Sequence, residues 1–559
     1  MRTKGFIAAL IALFIVGALP MRVNAAVDLW ATGTGGSGND IGYSIASFSD
    51  GSSVVAGGYS GTVTFGSTTL TSSGSRDVFV AKINASGQWL WAVTAGTSGQ
   101  GDVARAVSVL PDGSSVVTGY FRGTMTFPGS SVPNLVSIAQ EDVFVAKVSS
   151  AGQWVWATKA GSTTSGGAQG SDVGRGIASL SDGSAIVTGY FQGSATFGSF
   201  SISSSGDGDV FVASIDSNGT WQWAQAAGGT GDDEGYGAAA YSDNTVVVTG
   251  SFDASISFGS LGTMSTVVGG IYVARVDGSG NWSWQNSAVG DGDAKGLAVS
   301  TQPDGGAGVA GSFNSTFTFG AAATITAAGS DDIFVAEVNA SGEWVWAIPV
   351  GDTASDSGVA IAATGDGNYV LAGSYQGTAT FGDFTLTSAG VEDAFIAELD
   401  RSGTFLWAQT GGGTSMEENR GVTELLDGSF MVVGDFRGTA VFGSTTLVSN
   451  GSNDVFIARY ADTPRAPRAV TAERRDGELV ISWTAPAVDG GAPITSYTAT
   501  VQPGGATCTA VAPALTCTIS GRNAETTYIV TVSATNAAGT GPASAPFVVD
   551  PVVPAKFTG

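Results

Sequence analysis

The chain has 559 residues, with 84 Gly, 13 Trp, 2 Cys and no His, and its 22 basic and 47 acidic side chains give a net charge of −25. Without His there is no Ser-His-Asp triad, Cys-His dyad or His-ligated metal, and two Cys are too few for a four-thiolate site. So acidic a chain repels phosphate backbones, which argues against nucleic acid as a partner.

Arg2 and Lys4 precede an apolar run from Gly5 to Leu19, followed by Pro20 and Val23-Asn-Ala-Ala26. A basic start, a short apolar run and small residues predict a secretory signal peptide over residues 1–25, cut between Ala25 and Ala26. The run falls short of the roughly 18 apolar residues that a membrane span needs, and no later segment reaches that length. The expectation is a secreted protein, extracellular or at the cell surface, with no membrane span.

Residues 26–463 repeat one unit. Asp-Val-Phe-Val-Ala, or a close variant, begins at Asp77, Asp142, Asp209, Gly270, Asp332, Asp393 and Asp454, at steps of 61 to 67 residues. An aromatic pair, mostly Trp-x-Trp, ends at Trp91, Trp156, Trp223, Trp284, Trp346 and Trp407. The seventh copy stops without its pair. The missing piece stands at the other end of the array, Asp28-Leu-Trp30-Ala31, with Trp30 61 residues before Trp91. An array displaced by one strand closes a ring by lending its first strand to its last unit.

Within a unit, Gly42–Phe48, Ser53–Tyr59, Asp77–Ile83 and Gln88–Val93 read as four strands. They are β-branched and aromatic runs separated by Asp-Gly and Ser-Gly turns. Gly61–Gly66 predicts a small extra hairpin. One such unit has too little core to stand alone, and stacking units buries their faces against neighbours. Helical periodicity is absent. The expected fold is all-β: a seven-bladed β-propeller closed by an N-terminal strand. Gly57-Gly-Tyr-Ser-Gly-Thr-Val-Thr-Phe-Gly66, Asp77-Val-Phe-Val-Ala-Lys82 and Trp89-Leu-Trp-Ala92 resemble the bacterial seven-bladed β-propeller repeat (SBBP-type) family over about residues 27–463. That resemblance implies an exported or surface-associated propeller and no shared enzymatic activity. The fourth unit departs from it at Gly270.

Residues 464–552 differ in composition, and 553–559 form a tail. Leu479-Val-Ile-Ser-Trp483, Ile494–Val501 and Tyr528–Asn536 resemble a fibronectin type III domain, which implies Trp483 as core and Tyr528 as the corner Tyr. Cys508 and Cys517 stand as facing strand positions near a hairpin, and in an exported chain a disulfide is the default. Residues 465–559 hold six basic and six acidic side chains, so the net negative charge belongs to the repeats.

Three acidic columns recur. Asp50, Asp112, Asp182, Asp243, Asp304, Asp366 and Asp427 stand in turns, mostly before Gly. The Asp77 column opens the third strand, where Asp bonds loop amides. The third column, Asp40, Asp102, Asp172, Asp233, Asp293, Asp356 and Glu417, precedes the first strand and could ring a channel mouth; the leading reading is structural hydrogen bonding between units, ahead of cation binding and direct ligand contact. Neighbouring carboxylates about 10 Å apart repel by only roughly 0.4 kcal/mol in water, so such a ring needs no ligand. Were the carboxylates to converge, they would suit Ca²⁺, although no Asp-x-Asp-x-Asp-Gly loop is present. A variable position follows: Tyr43, Arg105, Arg175, Tyr236, Lys295, Val359 and Arg420.

Near-identical units without a unique constellation point to an exported non-enzymatic binding or adhesion protein. It would be a monomer presenting a loop face to an extracellular protein or polysaccharide, with the C-terminal module as spacer. Two alternatives remain: a polysaccharide hydrolase or lyase working as a carboxylate-based glycosidase, and a multivalent carbohydrate-binding lectin. The Trp pairs, repeated at strand spacing, read as core rather than as sugar platforms.

Overall fold

The computed structural model describes residues 27–138, 140–163 and 170–552; the expected signal peptide, its cut at Ala25 and Ala26, and the tail lie outside these residues. The described residues form antiparallel sheets joined by turns, with one short 3₁₀ turn at Gly259–Leu261. None of their helices is long and apolar enough to cross a membrane.

Unit 1 is Ile41–Ser47, Ser53–Tyr59, Asp77–Ile83 and Trp89–Thr97, paired in that order. Units 2 to 6 repeat the arrangement, with first strands at Val103–Val109, Val173–Ser179, Asp233–Ala240, Ala294–Thr301 and Asp356–Ala363. Unit 7 contains Glu417–Glu424, Phe430–Phe442 and Thr445–Ala461, and its fourth strand is Val27–Thr34. That borrowed strand runs antiparallel to the third, from Val27 opposite Ala461 to Thr34 opposite Val455. It supplies the hydrogen-bond partners that the Thr445–Ala461 edge would otherwise expose.

The first strands contact one another in a closed circuit, unit 1 to 2 and onward until unit 7 meets unit 1. Hydroxyls stitch the circuit: Val107 N donates to Ser44 Oγ, Ala363 N to Ser300 Oγ, and Ser47 Oγ to Glu424 O across the 7–1 joint. Between the described units the buried apolar side chains fall into seven clusters, one at each boundary. At the 7–1 boundary Ile45, Val55 and Phe79 pack with Met431, Val433 and Ile457. Each unit therefore buries its faces against two neighbours, which is how thin four-stranded sheets gain a core.

The Trp pairs lie at these boundaries and reach both ways. Trp154 of unit 2 donates to Thr94 O of unit 1, and Trp156 donates to Ser217 O of unit 3. Trp30, on the borrowed strand, donates to Ala85 O of unit 1 and covers Gly87, where a Cβ would stand 3.1 Å from its ring. The indoles thus tie neighbours together besides filling space. Trp407 has no following turn of this kind, because the chain leaves unit 7 for the C-terminal module, and it bonds Glu398 instead.

The C-terminal module is a two-sheet sandwich. One sheet holds Arg468–Arg475, Glu478–Thr484 and Thr516–Ile519; the other holds Ser496–Gln502, Ala506–Val511, Tyr528–Asn536 and two short edge strands. Trp483 is buried with Tyr497 beside it, and the Tyr528 hydroxyl accepts from Asn523 N at 3.0 Å. Cys508 and Cys517 form a disulfide. They stand on different sheets, so the bridge ties the sandwich across its edge rather than within a hairpin.

The module is seated on the repeats. Asp462 N and Arg465 N donate to Gly490 O and Val488 O, Asn536 Nδ2 donates to Asp462 O, and Arg465 pairs with Glu424 at 2.8 Å. Val27 and Leu29 of the borrowed strand pack by Ala461, Ala492 and Ala538. The module expected to act as a spacer is thus packed against the closing strand and its partner.

A chain beginning at Ser37 lacks the borrowed strand. It should melt well below the full chain by calorimetry and self-associate in size-exclusion chromatography through the uncovered edge; an unchanged melt would contradict the role given to that strand. Replacing both Cys508 and Cys517 by Ala should cost the sandwich about 2–3 kcal/mol, read in denaturant titration, since the bridge closes a short loop.

Candidate functional site

The turn column is structural. Asp50 Oδ1 accepts from Ser52 N, Asp112 Oδ1 from Ser114 N and Asp427 Oδ1 from Ser429 N. Lys82, Lys147, Arg275 and Arg459 of the third strands reach the same column. The Ser114 hydroxyl and Lys147 hold Asp112 down at about 2.

The third column does not line an open channel mouth: it is buried at unit boundaries and hydrogen-bonded across them, in line with the leading reading of the sequence. Asp40, Asp102, Asp172, Asp233, Asp356 and Glu417 are each no more than 1% exposed. Every one accepts an amide from the preceding unit's fourth strand or the residues just beyond it: Gly36, Thr97, Ser162, Gly229, Asp352 and Gly413. All but Glu417 also accept an amide from their own unit, just past the second strand at Ser60, Arg122, Gln192 and Gln376 and within it at Asp253. The carboxylates clip one unit to the next. Asp293 is out of this register: Ala294 stands opposite Phe313, as Asp233 stands opposite Phe252, and Asp293 is exposed with its amide on Asn314 Oδ1. The seven side chains do not converge as a Ca²⁺ site would require, and the described residues contain no group of three or more His, Cys, Asp or Glu arranged to hold a metal.

The Asp77 column lies on the other side of the same boundary, accepting the amide four residues before it at Ser73, Ile138, Ser205, Ala328, Ala389 and Asn450. Each carboxyl rests over a glycine of the neighbouring fourth strand. A Cβ at Gly96, Gly161 or Gly228 would come within 2.4 Å of the carboxyl carbon of Asp77, Asp142 or Asp209.

What differs from unit to unit is a bulge. Each first strand has one extra residue opposite its second strand: Tyr43, Arg105, Arg175, Tyr236, Leu297, Val359 and Arg420. The sequence pattern placed Lys295 in this set. Ladder register assigns Leu297, since Lys295 pairs regularly with Ser312. Around the circuit, Arg420 and Arg105 lie over opposite sides of the series at Tyr43, 5.3 and 4.5 Å from its ring, and Arg175 lies 4.7 Å from Tyr236. Arg105 and Arg175 also face Tyr120 and Tyr190. Arg420 is ion-paired with Glu418 and Asp435, and Arg175 with Glu234. Among the described residues Arg105 has no ion-pair partner, and its Nε is buried without an acceptor. An arc of Arg and Tyr thus spans units 7 and 1 to 4, and Leu297 and Val359 complete the circuit with apolar side chains.

Residues 465–550 match the fibronectin type III domain model. A relative is an uncharacterized WD repeat-containing protein, L264, of Acanthamoeba polyphaga mimivirus, 22% identical and covering 78% of this chain; the chain spans 38% of that protein's length. Similar solved structures include a myokine and the FN5 domain of Drosophila Lar. Both are 24% identical with a TM-score of 0.14, covering 16% of this chain and all of theirs. The twitchin kinase region from C. elegans is 30% identical with a TM-score of 0.15, covering 16% of this chain and 17% of its own.

Gly96→Ala should lower stability by about 1–3 kcal/mol, because its methyl would stand 2.2 Å from the Asp77 carboxyl carbon inside a packed boundary. A urea midpoint reduced at constant slope would check this.

Proposed function

We propose that the chain is an exported, non-enzymatic binding protein whose scaffold is a seven-bladed β-propeller carrying a fibronectin type III-like module. The propeller reading is supported by the closed circuit of first strands, the seven boundary clusters and the strand lent by residues 27–34. The distant WD-repeat relative agrees with it. Export is supported by the signal-like start of the sequence.

The observation that carries the binding reading is Arg105. In a strongly acidic chain its guanidinium stays free of carboxylates, half-buried between the rings of Tyr43 and Tyr120. Guanidinium groups bind carboxylates through paired donors, and tyrosine faces suit flat or sugar-like surfaces. The chemistry fits a carboxylate of an extracellular polysaccharide met locally at this guanidinium, since salt screens the chain's net negative charge beyond about 8 Å. Because the arc occurs once per chain, the stoichiometry would be one.

The test is an array of acidic and neutral polysaccharides followed by isothermal titration. One site per chain for an acidic polymer is expected, weakened about tenfold by Arg105→Ala and unaffected by Arg522→Ala in the C-terminal module. Several equal sites per chain would favour a lectin with one site per unit, and new reducing ends in the polymer would favour a hydrolase. Binding indifferent to Arg105→Ala would remove the arc as the contact.

A further inference from the structure

Six of the seven unit boundaries bury two carboxyl groups around one dipeptide. Asp77 lies over Gly96 while Asp102 accepts from Thr97 N; Asp142 and Asp172 hold Gly161-Ser162 in the same way. Asp209 and Asp233 hold Gly228-Gly229, Asp332 and Asp356 hold Gly351-Asp352, Asp393 and Glu417 hold Gly412-Gly413, and Asp454 and Asp40 hold Gly35-Gly36. At Gly351 the Oδ1 of Asp332 and the Oδ2 of Asp356 both lie within 2.8 Å of the point where a Cβ would stand.

The seventh boundary, between units 4 and 5, has lost all three parts together. Gly270 replaces the first carboxyl, Val289 stands opposite it in place of the glycine, and Ala294 occupies the register position of the second carboxyl. The Phe252 ring fills the vacated room, 2.4 Å from where a Cβ at residue 270 would be. Had the carboxyls been independent, there would be no reason for both to vanish at one joint. Their joint loss marks them as a unit.

The two groups cannot both be comfortably charged there. Each is at most 3% exposed, and in four of the six pairs at least one carboxyl oxygen is left over: Oδ1 of Asp142, Asp332, Asp393 and Asp454 and Oε1 of Glu417 are buried with no hydrogen-bond donor. A proton on the facing carboxyl is a donor that would satisfy them. We propose that each of the six pairs holds one proton between its two carboxyls near neutral pH, so that the boundaries loosen as those protons leave.

Burial raises Asp40, Asp102 and Asp172 to about 6 and Asp233, Asp356 and Glu417 to about 7. It also raises Asp77, Asp209, Asp332, Asp393 and Asp454. Other ionisable groups face the pairs. Arg76 is near Asp40, Lys159 is 3.0 Å from Asp142, Asp253 is near Asp233, and Asp331 and Asp352 are near Asp332. Tyr59, Tyr272 and Tyr375 border three of the boundaries. Among the described residues, Arg76 and Lys159 thus place a cation beside two of the six pairs. Carboxyls raised by folding contribute stability that is complete below the ordinary carboxylate range and lost as pH rises through about 6 to 7.

The experiment uses the full mature protein in EDTA. Melting temperature is followed from pH 5 to 8, and protonated carboxyls are counted by their infrared carbonyl band and by potentiometric titration against the unfolded chain. The expected result is a falling melting temperature and about six protons released over the range, one per pair. A triple variant, Asp77→Gly with Gly96→Val and Asp102→Ala, copies the 4–5 boundary and should release about one proton fewer. If that variant does not fold, the infrared count on the wild type decides. No protonated-carboxyl band at pH 6 would overturn the proposal. So would Ca²⁺ raising the melting temperature at pH 8 with one ion per pair, which would mean that the pairs hold a cation.

Discussion

The arrangement rests on one set of backbone hydrogen bonds, those between Val27–Thr34 and the strand Thr445–Ala461. A row of stacked sheets ends in two unpaired faces and an unpaired edge, each of which invites association. Lending the first strand to the last unit removes both ends at once. The covalent order of the chain then works against opening, because unit 7 cannot leave unit 1 without breaking a sheet internally. The C-terminal sandwich builds on the same place. Its contacts with Val27, Leu29 and Ala461, and the Arg465–Glu424 pair, bear on the joint where the ring is fastened.

Around this closure the boundaries are built from three repeated devices: an apolar cluster, Trp indoles donating to carbonyls of neighbouring units, and carboxyls bonded to amides across the gap. Apolar packing supplies most of the stabilisation but little direction. The directional contacts fix how far each sheet is turned against the next. Glycine is needed wherever a carboxyl lies over the neighbouring strand, as at Gly96, since any side chain would collide with it. The boundary between units 4 and 5 solves the same packing problem with Val289 and Phe252, and that makes it the odd joint in an otherwise regular series.

The sequence made the repeat and its displacement legible, because strand cores and turn residues recur at a fixed spacing and Trp30 sits one period before Trp91. The structure pairs the displaced strand as that spacing implies. The carboxylates were harder to read. The sequence favours bonding between units for the third column, but a column of Asp before a strand looks the same whether it faces solvent or turns under the next unit, and the buried amides of Thr97 and Ser162 distinguish the two. The shift at Asp293 was visible, but its cause, a ladder register that puts Ala294 in the acidic position, was not. Bulges escape sequence reading for a similar reason: one extra residue leaves no periodic trace in a short strand, so Leu297 was missed in favour of Lys295. The variable identity of those bulged residues was the signal available, and it led to the Arg and Tyr arc.

A symmetric scaffold carries one asymmetric arc that stands apart from the contacts holding the units together. The boundary contacts repeat because every joint meets the same mechanical demand, whereas Arg105, Tyr43 and Tyr236 meet no demand shared by all units. The closure itself is most directly tested by hydrogen exchange of the protein. If residues 27–34 are the outer strand of unit 7, their bonded amides should exchange as slowly as those of Thr445–Ala461, both limited by global unfolding. Rapid exchange across 27–34 beside a protected 445–461 would mean that the chain does not fasten head to tail.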